Sequence, residues 1–223
     1  KHLWFDDGTV IIVAGSSSAF KVYKGILASV SSVFADLFSL PRSQEDSVLE
    51  GCPVVRVQDS AIDMAHFLTI VFRPGHDGLK GEQQHCQFSE LASLLRLAHK
   101  YDVADAIAIA VDRLTKRFCD PFQSKLGAVV DWDEIQTHLT TSSGVTFDPA
   151  DAVEALNLMR LVNSSFAPTS NSPRFPDSAV AVAIFYCCIA LESNPRVLRV
   201  GAPRADGTVE MLSDADFDRC VRA

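Results

Sequence analysis

Two hydrophobic periods alternate along this chain, and the changes between them mark out its elements. Val10–Val13 is a short β-branched run, Gly15-Ser16-Ser17-Ser18 supplies a turn, and Ala19–Tyr23 alternates, with Phe20 and Val22 on the opposite side of the pleat from Lys21 and Tyr23. This pattern predicts a hairpin. After Gly25 the spacing predicts two short helices, Ile26–Ser29 and Val33–Phe38. Ser32 caps the second, Val33, Phe34, Leu37 and Phe38 form its apolar face, and Pro41 ends it. Residues 42–53 read as a polar loop and Val54–Val57 as a further strand. Ser60 with Asp63 has the spacing of a helix start, and Met64, Phe67, Leu68, Val71 and Phe72 continue it. Arg73–Gln87 holds three glycines and a proline without periodicity and reads as a long loop. Ser89 then caps a helix with Leu91, Leu94, Leu95, Ala98 and Tyr101 on one face. Asp102 caps another with Ile107, Val111, Leu114 and Phe118, which Pro121 closes.

The order so far places a small sheet against a helical cluster, an α+β arrangement over residues 1–119. Residues 120–223 read as more helical. A short helix is expected over 131–139, around Trp132, and Asp148-Pro149-Ala150-Asp151 is a helix start that leads into Leu156, Met159 and Val162. Ala167–Asp177 is rich in proline and serine and reads as a loop. The 178–192 segment is apolar nearly all round, which predicts a deeply buried helix. Val197–Val200 and Thr208–Leu212 flank Asp206-Gly207 and suggest a second hairpin.

Composition narrows the functional classes. Lys and Arg number 20 against 28 Asp and Glu, a formal charge of −8, spread over both halves. That opposes a nucleic-acid module, whose affinity comes from neutralising phosphates. The longest apolar run, Ala179–Leu191, falls short of the about 20 residues that span a bilayer, so no membrane partner is expected. Six cysteines are too sparse for a disulfide scaffold, and adjacent Cys187 and Cys188 read as small buried hydrophobes. With no secretory signal visible, the expected location is intracellular, in cytoplasm or nucleus. The start at Lys1 suggests a trimmed chain.

No arrangement of residues commits the chain to catalysis. Gly75, Gly78 and Gly81 match neither phosphate-binding fingerprint. His76, His85 and Cys86 lack the fourth ligand and paired spacing of a structural zinc site. Asp214, Asp216 and Asp218 resemble the start of a calcium loop, but Arg219 stands where that loop needs glycine, so they read as a solvated acidic end. Asp6-Asp7 and Asp131-x-Asp133-Glu134 are carboxylate pairs that nothing places in a cleft. Asn163-Ser164-Ser165 fits a glycosylation sequon, which matters only in a secreted protein. Neither an enzyme activity nor a cofactor or metal is expected.

The run Asp7-Gly8-Thr9-Val10-Ile11-Ile12-Val13, then Phe20-Lys21-Val22-Tyr23-Lys24-Gly25-Ile26-Leu27-Ala28-Ser29 and Val30–Phe38, resembles a BTB/POZ domain. Val54–Val57, Phe67-Leu68-x-x-Val71-Phe72 and Leu94–Tyr101 extend the resemblance over residues 4 to about 118. Phe5-Asp6-Asp7-Gly8, Gly51-Cys52-Pro53-Val54-Val55, Phe185-Tyr186-Cys187-Cys188 and Asp206-Gly207-Thr208-Val209 are similar to BTB proteins of mushroom-forming fungi. The resemblance implies a BTB fold over residues 1–119 followed by a helical C-terminal region over 120–223, whose family-like tail stops mid-pattern at Arg222-Ala223 as if truncated, and a non-catalytic protein-interaction module. Such a module forms a homodimer through its first helices, binds a cullin scaffold as a ubiquitin-ligase substrate adaptor, or does both. The alternative is a structural self-assembling scaffold or a transcription-linked protein without cullin. The candidate partner-binding residues are Tyr23, Lys24, Leu27, Phe34, Met64, Phe67, Phe72 and His76. Tyr23 stands where the family has histidine, and Thr9 where some members have the acidic partner of the following base, which leaves only Asp6 or Asp7 to serve Lys24. The 73–87 loop replaces the family's usual segment.

Overall fold

The computed structural model describes residues 3–15, 18–41, 47–72, 86–123, 144–148, 150–165, 173–193 and 196–222. The expected 131–139 helix, His85, His76 and most of the 73–87 loop lie outside them. The fold is mixed α+β, with a small N-terminal sheet and a larger helical body.

Strands β1 (Val10–Ala14) and β2 (Ser18–Val22) pair antiparallel, Val10 opposite Val22 and Ala14 opposite Ser18. Gly15 begins the turn at φ +60°, a conformation that suits glycine. Helices α1 (Lys24–Val30) and α2 (Ser32–Ser39) carry the chain across to β3 (Val48–Leu49) and β4 (Cys52–Val57). β4 runs parallel to β1, with Ile11 opposite Val54, and the sheet order is β2-β1-β4-β3. β1 is central and covered on both faces, which explains an unbroken β-branched run with Val10, Ile11 and Ile12 fully buried. The outer edge of β2 is covered by the chain before β1: Lys21 N–H donates to the Leu3 carbonyl at 3.0 Å and Phe5 N–H to the Lys21 carbonyl at 2.9 Å. Lys21 is itself buried, its ammonium donating to the Asp6 carbonyl at 3.0 Å and to Glu50 at 3.1 Å.

The caps refine the expected boundaries. Ser31, not Ser32, caps α2, because Ser31 holds the extended backbone a cap needs and its hydroxyl accepts the Phe34 N–H at 3.0 Å. The same hydroxyl donates to the Tyr101 carbonyl, while the Ser32 hydroxyl donates to Asp102 at 2.6 Å. These bonds join α2 to the turn between α4 (Phe88–Lys100) and α5 (Ala104–Gln123). Ser60 caps α3 (Ala61–Phe72) as expected, accepting the Asp63 N–H at 3.0 Å. α4 begins one residue before Ser89, and Glu90 reaches back to accept the Gln87 N–H at 3.2 Å. α5 continues through Pro121, since a proline in the last turn removes one hydrogen bond without stopping the turn.

Strand β5 (Cys86–Gln87) pairs parallel with β6 (Val145–Thr146), and α6 (Asp151–Ser165) follows. The Asp148 N–H donates to Asp151 at 2.8 Å and the Ala150 N–H to Asp148 at 2.9 Å, the helix start expected there. α7 (Asp177–Ser193) is not buried all round: Ala179, Ala183, Tyr186 and Cys187 are inside, but Phe185 is exposed. It packs against α5, α6 and α9 (Asp214–Arg222), which leaves one side outward. Val197–Val200 is not a strand but lies in the short helix α8 (Arg196–Val200). The hairpin arm is displaced to β7 (Ala202–Pro203), which pairs with β8 (Val209–Glu210). Gly201 separates them at φ +84°, where a Cβ would lie 2.2 Å from Val209 Cγ1. Only glycine passes this close, so helix ends and hairpin begins there.

A continuous apolar core runs from β1 and α3 through α4 and α5 into α6 and α7. Within it Tyr101 stacks on Phe34 at 4.4 Å between ring centroids and tilts against Phe67 at 5.8 Å. Replacing Phe67 by alanine is expected to cost about 3–5 kcal/mol in urea unfolding. Val33→Ala, on the outside of α2, is expected to change stability by less than about 0.5 kcal/mol. Similar losses at the two positions would contradict this placement of the core.

Candidate functional site

α1 and α2 divide their apolar residues between two roles. Leu27 and Phe34 point inward and are fully buried. Ile26 and Val30, four apart on α1, and Val33 and Leu37, four apart on α2, are exposed at between 37% and 41%, and Leu40 at 64%. These four side chains on two adjacent helices, with Leu40 just after α2, make up the candidate contact surface.

The candidate partner residues separate into three groups. Leu27, Phe34, Met64 and Phe67 have no exposed surface, so as contact residues they are corrected: they hold α1, α2 and α3 to the sheet and to α4. Helical spacing alone does not distinguish a core stripe from an interface stripe. Tyr23, Lys24 and Phe72 are half-buried and lie near one another. Phe5, Tyr23 and Phe72 form an aromatic trio with ring centroids 4.9–6.2 Å apart. The Tyr23 hydroxyl donates to Asp7 at 2.6 Å, and this bond raises the phenol pKa. Lys24 does not take up Asp6 or Asp7. Its ammonium donates to the Phe38 carbonyl at 3.2 Å and lies 5.5 Å from the Phe38 ring centre, while Thr9 accepts its backbone N–H at 2.9 Å. His76 lies outside the described residues.

A polar cluster that no motif announced lies where α3, α4, α6 and the β7–β8 hairpin meet. Arg204, from the hairpin, donates to Asp63 on α3 at 2.7 Å and to Glu154 on α6 at 3.2 Å. Arg96 on α4 donates to Glu154 at 2.9 Å and to Glu210 on β8 at 2.7 Å. Asp206 completes the set, 3.3 Å from Arg204. Burial pushes the Glu154 carboxyl up against the pull of both guanidiniums, whereas the bonds from Thr208 and Arg204 hold Asp206 below the usual range despite burial. Beside this cluster Ser93 donates to Asp63 at 2.6 Å and its hydroxyl lies 3.1 Å from His66 Nδ1. Serine, histidine and aspartate thus meet in the wrong order for nucleophilic catalysis: the carboxylate holds the hydroxyl, not the imidazole. Ser93 is also buried. The arrangement fastens elements together.

A cleft opens between α6 and α9. Its key residue is Asp216, which is buried and not part of a solvated acidic end. Arg160 donates to it from Nη2 at 2.8 Å and from Nε at 3.3 Å, and Arg219 from Nη1 at 2.6 Å. The aspartate of an i, i+4 buried pair with Cys220 was legible only as one of three alternating acids. Among the described residues, no group of three histidine, cysteine or acidic side chains could hold a metal ion. Among them, too, no helix is long and apolar enough to cross a membrane. No family model matches the chain, and no curated protein matches it.

Arg204→Ala leaves Ser93 on Asp63 and Arg96 on Glu154, so its expected cost is near the lower end for a broken buried pair, about 3 kcal/mol in urea unfolding. A loss within about 0.5 kcal/mol would reassign Arg204 to the surface. Burial alone would raise the Asp216 carboxyl, but the Arg160 and Arg219 bonds outweigh it and hold it below the ordinary aspartate range. A lowered folded pKa means stability that is present above the unfolded value, about 3.9, and is lost as pH falls through the lower folded value. Asp216→Asn is therefore expected to flatten the acid limb of stability against pH below about pH 4. An unchanged limb would assign the acid sensitivity to other carboxylates.

Proposed function

We propose that this chain is a non-catalytic, BTB-type protein-interaction module that associates with a second copy of itself through α1 and α2. The observation that carries the reading is the exposed apolar set Ile26, Val30, Val33 and Leu37 on those helices, with Leu40 just after α2. The hairpin, two short helices, β4 and three longer helices follow the order that the resemblance implied, with the two-residue strands β3 and β5 added, and this supports the same reading. The contact residues are then the outward positions that alternate with the core residues of the shared pattern. Leu27 and Phe34 fix the helices from beneath, and their neighbours meet the partner.

In this reading a cullin scaffold is a further partner, met by the outer side of α3 and the segment after it. Affinity capture of the tagged chain separates the two versions of the module. A cullin with its RING partner would make it a ligase adaptor, and recovery of the chain itself without a cullin would make it a self-assembling scaffold.

Self-association is read by sedimentation velocity over a range of concentrations, with a dimer expected. Val33→Asp and Leu37→Asp each place a charge in the contact, and each is expected to weaken the dimer by about 30-fold or more with the helical circular dichroism unchanged. A chain that stays monomeric at every concentration, or a dimer indifferent to both substitutions, would remove α1 and α2 from the interface.

A further inference from the structure

The cleft between α6 and α9 is a shallow, largely open depression of about 550 Å³, with a construction that the self-association reading does not use. Its walls carry Arg160, Leu161 and Ser164 from α6, and Ser213, Asp216 and Arg219 from α9 and its cap. The Asp216 side chain is 3% exposed, whereas those of Arg160 and Arg219 are 43% and 55% exposed. The buried carboxylate therefore acts as an anchor that holds two solvent-facing guanidiniums side by side. A guanidinium has five N–H donors. The bonds to Asp216 occupy two from Arg160 and one from Arg219, so donors remain at the cleft wall.

The two hydroxyls do not compete for the role. Ser213 accepts the Asp216 N–H and donates to its carboxylate, both at 3.2 Å, and Ser164 donates to the Leu161 carbonyl at 2.9 Å. The guanidiniums are thus the groups with donors to offer, and they call for an acceptor with negative charge. Two arginines and one aspartate sum to a single positive charge, which one carboxylate balances. A phosphate dianion would exceed it. Leu161, 38% exposed, adds an apolar surface to the cleft wall.

We propose that this cleft binds a peptide segment of a partner protein through one aspartate or glutamate side chain flanked by apolar residues. The carboxylate meets the free edges of Arg160 and Arg219, and an apolar neighbour covers Leu161. The site lies on the C-terminal helices and is independent of α1 and α2, so it stands or fails apart from self-association.

The test is a titration of the full chain, followed by the side-chain Nε–H signals of Arg160 and Arg219 in nitrogen-15 NMR. The probes are acetyl-Ala-Leu-Glu-Leu-Ala-amide, its glutamine and phosphoserine counterparts, and sodium acetate. Saturable shifts with the glutamate peptide are expected, weaker by about tenfold or more with glutamine and with acetate, and no tighter with phosphoserine. Arg219→Gln, which leaves Arg160 on Asp216, is expected to abolish the response while the rest of the amide spectrum is retained. The proposal is overturned if the glutamate peptide shifts neither arginine or the glutamine peptide binds as tightly. Equal binding of acetate would overturn the peptide, and tighter binding of the phosphoserine peptide the single carboxylate.

Discussion

α4 has no broad side that faces water, and that constraint organises the molecule. Phe88, Leu91, Ala92, Ser93, Leu94, Leu95, Leu97 and Ala98 are all buried on it, and Lys100 is its exposed residue. A helix covered on one stripe needs one neighbour, but one covered nearly all round needs several. α3 and α5 cover part of α4, and α6 covers another part. The first half of the chain therefore depends on the second to finish burying its own central helix. The parallel pairing of β5 with β6 and the packing of α5 on α7 reinforce the same junction.

Covering a helix this completely forces a solution for its polar residues. Arg96 lies on the side of α4 toward α6, and its guanidinium cannot be left without partners there. Glu154 and Glu210 supply them, and Glu154 in turn needs more than one cation because burial disfavours its charge. Arg204 provides the second cation and links Glu154 to Asp63 across α3. Four carboxylates then surround two guanidiniums. Such a cluster adds little net stability over an apolar equivalent, because desolvation offsets most of the attraction. Its consequence is geometric: the β7–β8 hairpin fits at one position, and Gly201 gives it room to reach that position.

Local signals in the sequence carried further than long-range ones. The first hairpin, the Ser60 cap, the Asp148 start and the apolar face of α5 were all readable, because each depends on residues within a few positions of one another. The second buried face of α4 was not, since the α6 residues that cover it lie some distance along the chain. Neither was the role of Asp216, for the same reason: an aspartate among aspartates looks solvated until an arginine 56 residues away is placed beside it. Val197–Val200 failed differently. Its β-branched pair suits a strand, but the close approach at Gly201 lets the strand begin only at Ala202. Of the candidate contact residues, Tyr23, Lys24 and Phe72 reach the surface, and the four that belong to the recurrent apolar pattern do not.

That last division has a physical reason. A hydrophobic pattern becomes recognisable because packing enforces it, so the residues that make a sequence look familiar are the ones most constrained by the core. Leu27 and Phe34 belong to that class. Ile26, Val30, Val33 and Leu37 occupy the intervening positions, where the isolated fold covers only part of each apolar side chain. Their exposure costs the folded chain little, but it leaves apolar area to be removed from water by association. The cleft follows a parallel logic in charge: Asp216 satisfies the fold, and the surplus donors of Arg160 and Arg219 remain for the proposed ligand. In both places the core-facing member of a set is explained by stability, and the proposed contacts would explain the outward member.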